Sequence, residues 1–560
     1  MQKVKNDLKD KIKNWQTANP KRHYFEVAPK DLFSVAEYFH KKRGFRFSIA
    51  SGIDTIKNIE VLYHFSNDET GEFFTARVFA DRDKPELPTL TPLFKAVRWI
   101  EREIHELLGV NFKGNEDLRH LLLDESWPKG TYPLRKDYEY GRNEPPAETV
   151  SCSLPPRAKG EKRIVPIGPF HPLQEEPEFF ELEVEGEKVT GLNIHIGYNH
   201  RGIEKLSEGK HWDQVTFLVE RICGICSCSH PYAYVNAVED LLKLEIPDRA
   251  KYIRTIIAEI ERIHSHLLWL GLAGHFVGYN TVWMWAWKYR ETVLDLAEQI
   301  SGNRNHYAMM RVGGVRRDIL NSEIKQMKAD LLTLVPIINM FEKAVMDDPV
   351  LRSRLEKAGP LSHEEALDYC VVGPTARASG IKTDIRKIDM MNGAYHLVDW
   401  EVPVEYAGDV FAKTVVRLTE MKESVKIIEQ CFDALSAMKE GDIWAEVREI
   451  PAGEGIGRYE APRGEVFHYV KSDGGNMPVR HKIRAPSFMN VASNEVAAVG
   501  GTIADAALTL AAVDPCYCCT ERMQAVNKTG KLIHDWEDLI KMSQDKTKRI
   551  REEYKNRGGK

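Results

Sequence analysis

Two Cys-x-x-Cys pairs stand nearly three hundred residues apart: "RICGIC", with Cys223 and Cys226, and "DPCYCCTERM", with Cys516 and Cys519. One such pair constrains a fold very little. Two can close a four-thiolate shell around one metal, because each spacing lets two sulfurs reach a common ion. For that to happen the intervening chain must return on itself and bury the metal at its heart. A structural zinc knuckle draws its pairs from a segment of a few dozen residues, so this separation argues against one. Soft thiolates also suit nickel and iron.

At 560 residues the chain is expected to hold roughly two to four domains. Hydrophobic residues at 43% and charged residues at 29% give the balance of a folded protein. A formal net charge of -5 supplies no basic field, which excludes nucleic acid as a main partner. "MQKVKNDLKDKIKNW" is charged throughout and no apolar run approaches about 18 residues, so membrane association is expected only through partners. Nine cysteines without an export signal point to a reducing compartment, where they bind metal or do redox chemistry.

The first 140 residues read as a small α/β unit. "HYFEVAP" and "FRFSIASG" are expected strands flanking the helix "DLFSVAEYFHKKR"; "NIEVLYHFS" and "FFTARVFA" form a hairpin around "SNDETGE". "LFKAVRWIEREIHELLGV" closes the unit as a helix. Residues 141–163 are rich in proline and charge and read as a linker. Residues 164–522 then form the second domain. It opens on the strand pair "FFELEVEGEKVTGLNIHIG" and continues in long helices. In "DRAKYIRTIIAEIERIHSHLLWLGL", Ile253, Ile256, Ile257, Ile260, Ile263, Leu267 and Leu268 share one face. "RRDILNSEIKQMKADLLTLVPIINMFEKAV" reads as another long helix. The fold class is therefore α+β: a small α/β domain before a mainly helical one with a peripheral sheet.

"ERICGICSCSH" with "DPCYCCTERM" resembles the two-sided signature of nickel-iron hydrogenase large subunits. The resemblance implies that all four thiolates bind nickel, Cys223 and Cys516 as terminal ligands and Cys226 and Cys519 as bridges to an iron carrying two cyanides and one carbon monoxide. It implies heterolytic chemistry on dihydrogen, with the proton passing to a nearby base. Cys228 and Cys518 fall outside the signature and read as packed thiols. In "EAPRG", Pro462 and Arg463 match the segment that sets an arginine over the open metal position, making Arg463 the expected assisting base. Asp514 is expected to hold that guanidinium. Ser487 matches a hydroxyl bonded to an iron cyanide. His230 reads either as a histidine tuning a thiolate or as a satisfied core residue.

The resemblance implies that protons leave through Glu176 in "GPFHPLQEEPEFF", with the adjacent Glu175 the alternative. Glu204 matches a glutamate that holds a remote metal in some relatives, with a plain salt bridge the other reading. The family's acidic residue on the helix after "SHLLWLG" is not evident, and His275 is the nearby polar group. Arg522 stands where other branches carry a final histidine.

Fusion of a part similar to the complex I 30-kDa subunit with one similar to the 49-kDa subunit, all four cysteines intact, resembles the group 4 branch of formate hydrogenlyase type. That branch implies hydrogen evolution in the cytoplasm, on the inner face of the membrane. Its implied partners are an iron-sulfur small subunit, membrane-arm subunits, a formate dehydrogenase or ferredoxin donor module, and a maturation endopeptidase. Cys152, Cys370 and Cys431 lie too far apart in sequence for a cluster motif, so iron-sulfur clusters are expected only in partners. Residues 523–560, with ten Lys/Arg against six Asp/Glu, read as an extension removed after Arg522 or as a charged surface helix. A complex I-like subunit without hydrogenase activity and a zinc-stabilised interaction protein are the competing functions.

Overall fold

The computed structural model describes residues 1–123, 127–139, 163–169, 177–389 and 391–516, with short pieces of 525–551. Glu175, Glu176, Cys152, Cys518, Cys519 and Arg522, with the expected linker, lie outside the described residues.

Five strands open the chain: β1 (Ile12–Asn19), β2 (Arg22–Val27), β3 (Arg46–Asp54), β4 (Asn58–Ser66) and β5 (Phe73–Asp81). They form one sheet in the order β1-β2-β5-β4-β3, with β2 and β5 parallel and the other pairs antiparallel. The hairpin between β4 and β5 runs in register from Asn58↔Asp81 to Ser66↔Phe73, as the sequence alternation requires. Strand β1 escapes the sequence reading because "IKNWQTAN" is polar on an exposed edge. Helix α1 (Val97–Leu108) covers one face of the sheet and begins four residues later than the apolar spacing suggests. Its Leu108 and Ile104 press on Gly52, where a Cβ would meet Leu108 Cδ1 at 2.3 Å.

The other face of that sheet is buried as well, because β3 and β4 have almost no exposed position. What covers it comes from the far end of the chain. Strands β6 (Arg163–Ile167), β7 (Phe179–Glu185) and β8 (Lys188–His195) form a small peripheral antiparallel sheet. A second sheet of β9 (Ala452–Ala461), β10 (Gly464–Asp473) and β11 (Arg480–Arg484) sits inside, with Ile456, Phe467 and Tyr469 in the same core cluster as Phe65 and Phe74. This inner sheet adds to the peripheral sheet expected of the mainly helical second domain, and the α+β class stands.

Helices α2 (Ile203–Ser207), α3 (Ser229–Leu242), α4 (Asp248–Phe276), α5 (Val410–Ser436) and α6 (Ile503–Ala512) build the rest of the frame around the site. The isoleucine stripe of α4 is buried as the sequence requires. The expected single helix over 316–345 is two, Asn321–Leu332 and Leu334–Asp347. Pro336 explains the break: it has no N–H to donate, and its ring would strike the carbonyl of residue 332 in a continuous helix.

Buried charge threads the frame. Arg254 pairs with Glu239 at 2.7 Å, Arg262 with Glu259 at 3.2 Å, and Arg377 with Glu460 at 2.8 Å, all at or near zero exposure. Each cation meets at least one carboxylate, which offsets the cost of removing it from water.

Candidate metal centre

The first cysteine pair lies in the loop that ends at α3, and the second begins two residues beyond the last turn before Asp514. The fold brings them together: Cys516 Sγ stands 3.0 Å from Cys223 Sγ. Two sulfurs each about 2.3 Å from one metal can be that close. Cys226 joins them in one buried cluster. The backbone N–H groups of Ile225 and Cys226 donate to Cys223 Sγ at 3.3 and 3.2 Å. Hydrogen bonds from the Cys226 and Cys516 thiols pull Cys223 well below the usual thiol range. Cys226, which donates to Cys223, is pushed well above it.

Among the described residues, no three His, Cys, Asp or Glu side chains form a complete metal site by themselves. The expected fourth ligand, Cys519, is outside the described residues. The donor set that is described consists of soft thiols beside one guanidinium, and it fits a thiolate-bound nickel or iron better than an oxygen-loving ion.

Arg463 reaches this cluster from a hairpin tip. Ala461 pairs with Gly464, so Pro462 and Arg463 are the two central residues of a tight turn, and proline sets the backbone angle the first of them needs. Gly373 and Gly464 let the tip seat closely: both have positive φ, and a Cβ on Gly373 would lie 2.5 Å from the Arg463 carbonyl oxygen. The guanidinium is 1% exposed and donates to Cys226 Sγ at 3.3 Å, Ser265 Oγ at 3.2 Å and the Asp514 carbonyl at 2.7 Å. It also pairs with Asp514 Oδ1 at 2.7 Å. Burial opposes the charge on Arg463, but Asp514 and the three sulfurs outweigh it and hold the pKa well above the ordinary value. That surrounding places a fixed positive charge beside the sulfurs.

The contact from α4 comes from Ser265, not from the neighbourhood of His275. His275 is half-buried and bonded to Asn280 Oδ1 at 2.8 Å. Ser265 sits inside "HSHLL", and its small side chain on an apolar helix gave no signal. His264 beside it is buried against Arg290 and held well below its usual pKa, first by burial and then by that arginine. Ser487 Oγ accepts from the Cys516 N–H at 2.9 Å, which leaves its own proton to donate.

His230 begins a buried chain. Its Nδ1 lies 3.1 Å from His468 Nε2, His468 Nδ1 lies 2.9 Å from His481 Nε2, and His481 Nδ1 lies 3.0 Å from Ser207 Oγ. Ser207 gives its one proton to the Ile203 carbonyl at 2.8 Å, so it must accept from His481. That fixes each neutral ring in turn as the Nδ1–H form. Burial depresses the pKa of His481 to about 3 and that of His468 well below the ordinary value, so these two rings stay uncharged.

Glu204 is an ion-pair residue: it takes Arg480 at 2.7 Å and Lys482 at 3.0 Å, and Lys482 also contacts Glu103 of α1. With two cations and a second carboxylate around it, the remote-metal reading has no vacant charge to satisfy.

Three family descriptions match the chain. "Respiratory-chain NADH dehydrogenase, 30 Kd subunit" covers residues 25–144, "Nickel-dependent hydrogenase" covers 201–276, and "Respiratory-chain NADH dehydrogenase, 49 Kd subunit" covers 277–450 and 438–522. The membrane-bound hydrogenase subunit alpha of Pyrococcus furiosus is 39% identical over 69% of this chain and 93% of its own length. Formate hydrogenlyase subunit 5 of Escherichia coli is 35% identical over 92% of this chain and 91% of its own. The chain belongs to the large subunits of the group 4 nickel-iron hydrogenases. Among solved structures, one from the membrane-bound sulfane sulfur reductase, an archaeal respiratory membrane complex, aligns with a TM-score of 0.61 and 31% identity, over 64% of this chain and 98% of that one. As a member of this family the chain is an oxidoreductase subunit. No helix among its described residues is long and apolar enough to cross a membrane.

Proposed function

We propose that this chain carries the active site of a membrane-associated nickel-iron hydrogenase that interconverts dihydrogen with two protons and two electrons, working in the cell toward evolution. The supporting observation is the 3.0 Å approach of Cys223 and Cys516, from motifs 293 residues apart, beneath a buried arginine.

Cys223, Cys226, Cys516 and Cys519 would hold nickel together with an iron carrying two cyanides and one carbon monoxide. When bound, that group supplies the two-electron chemistry. The chain's own residues do the rest. Arg463 contributes a fixed positive charge over the sulfurs, where water is excluded and a charge acts strongly. Asp514 holds both the guanidinium and the turn before Cys516. Ser487 keeps the Cys516 backbone in place and has a proton to offer the pocket. A proton must cross between this buried pocket and solvent in either direction of turnover. Glu176, or Glu175, would pass it outward.

No cluster motif occurs among the remaining cysteines, so electrons would travel through an iron-sulfur small subunit to a formate dehydrogenase or ferredoxin module. Membrane-arm subunits would hold the chain at the inner face of the cytoplasmic membrane. An endopeptidase would cut after Arg522, releasing 523–560.

Metal analysis with infrared spectroscopy of the purified complex tests this reading. We expect about one nickel per chain and the sharp bands of iron-bound cyanide and carbon monoxide. Zinc in their place, or a complex without nickel, overturns it.

A further inference from the structure

Three segments build the metal pocket: the first cysteine loop, the Arg463 hairpin and the second cysteine segment. One face of α4 touches all three. Glu261, Ser265 and Trp269 recur at i, i+4 and i+8, and so lie in a row about 12 Å long. The Glu261 carboxylate accepts from the backbone N–H groups of Cys228 and Ser229 and from the Ser229 hydroxyl. It thereby caps α3 directly after the Cys226 loop, taking N–H groups that have no partner inside the helix. Ser265 accepts from Arg463. Trp269 Nε1 donates to the Ala511 carbonyl at 2.9 Å. Arg417 of α5 lies 4.0 Å over the Trp269 ring and gives Nη2 to the Ala512 carbonyl at 3.0 Å.

These last two contacts take carbonyls in the last turn of α6, where the Ala511 carbonyl also accepts from the Asp514 N–H at 3.0 Å. They hold the backbone just before a strained residue: Asp514 has φ 54, left-handed for a non-glycine residue. Such a conformation persists only where its surroundings dictate it. Here the clamp lies on one side, and Arg463 holds both the Asp514 carbonyl and carboxylate on the other. All three residues of the row are buried: Glu261 and Ser265 have no exposure, and Trp269 has 3%.

We propose that Glu261, Ser265 and Trp269 are positioning residues, a gauge on α4 in which each fixes one pocket-building segment and together they set the separation of Cys516 from the first cysteine pair. The gauge rests on the proposed metal pocket only for its effect on turnover.

The decisive measurement is made first on the metal-free full chain. Iodoacetamide labelling of each cysteine is followed by mass spectrometry in Glu261→Gln, Trp269→Phe and the control Lys251→Ala. Glu261→Gln is expected to speed labelling of Cys226 and leave Cys516 unchanged. Trp269→Phe is expected to do the reverse, and Lys251→Ala neither. Uniform acceleration at both cysteines, or none at either, overturns the proposal. Should Trp269→Phe fail to accumulate, Arg417→Met reads the same clamp.

In the assembled complex, Ser265→Ala is expected to lower kcat for hydrogen–deuterium exchange about tenfold with KM unchanged and to shift its pH profile, with Ser265→Thr restoring both. An unshifted profile, or no rescue, also overturns the gauge. A wild-type complex without nickel would sink the hydrogenase reading while leaving the segment-specific labelling to stand or fall alone.

Discussion

Two buried sites in this molecule each hold cations against carboxylates, and they are closed to different degrees. At the seam between the N-terminal sheet unit and the inner sheet, Lys482 and Arg480 meet Glu103 and Glu204: two cations, two carboxylates, each charge matched. Over the cysteines, Arg463 has one carboxylate, Asp514, and spends another N–H on the sulfur of Cys226. The seam is a neutral lock that fixes how two parts of the chain dock. The Arg463 site is a charge with one side committed to sulfur. Burial of ions is therefore not itself a mark of function here; what marks the site is a cation whose partners are reactive.

The comparison breaks most sharply if one variant harms both sites. Cys516→Ser should cost more than about 10³-fold in exchange activity and remove nickel, since a catalytic metal needs its full ligand set, while thermal unfolding of the chain stays close to wild type. A large drop in melting temperature would mean that the thiols are structural. Arg463→Lys should lower exchange about 100-fold with nickel retained, because a point charge replaces a fork that holds Asp514, Ser265 and Cys226 together; infrared bands and rates on one preparation check it.

The seam should behave in the opposite way. Lys482→Met strands the buried Glu103 carboxylate and leaves Glu204 with Arg480 alone, so we expect a loss of about 3–5 kcal/mol in denaturant unfolding, with any surviving folded complex retaining its nickel. Retained stability would show that the lock is idle. His468→Phe leaves His230 Nδ1 and His481 Nε2 without partners and should cost about 1–3 kcal/mol at each orphaned group, read by the same unfolding curves.

The smallest effect concerns pH. Burial raises the Glu204 pKa, but Lys482 and Arg480 reverse this and bring it to about 2, from an ordinary 4.5. A carboxylate depressed in the folded state adds stability above its unfolded pKa and loses it as pH falls through the folded one. Acid unfolding between about pH 4.5 and 2 should therefore be shallower in Glu204→Gln than in wild type. Identical slopes would show that Glu204 is not the group concerned.

Much of this was legible in advance, for identifiable reasons. The β4–β5 hairpin follows from period-two alternation around a turn, and α4 from a 3.6-residue apolar period, both local patterns that survive folding. Metal chemistry was legible because thiol pairs at this spacing have few other uses. The inner sheet was not: β9–β11 are buried on both faces, so the alternation that marks a strand is absent. Ser265 was missed because one hydroxyl on an apolar helix has no periodic signature. The partners of Arg463 were not legible either, since Asp514, Ser265 and Cys226 reach it only through packing.

Sequence by itself determined the candidate ligand types and the elements with a clear local pattern, because each is written in residues adjacent along the chain or repeated at a fixed period. Tertiary structure alone decided that Cys223 meets Cys516, that Arg463 stays charged beside them and that Glu204 is neutralised by lysine and arginine. Those outcomes depend on distances between residues far apart in sequence, and electrostatic and hydrogen-bond energies change steeply over a few ångströms.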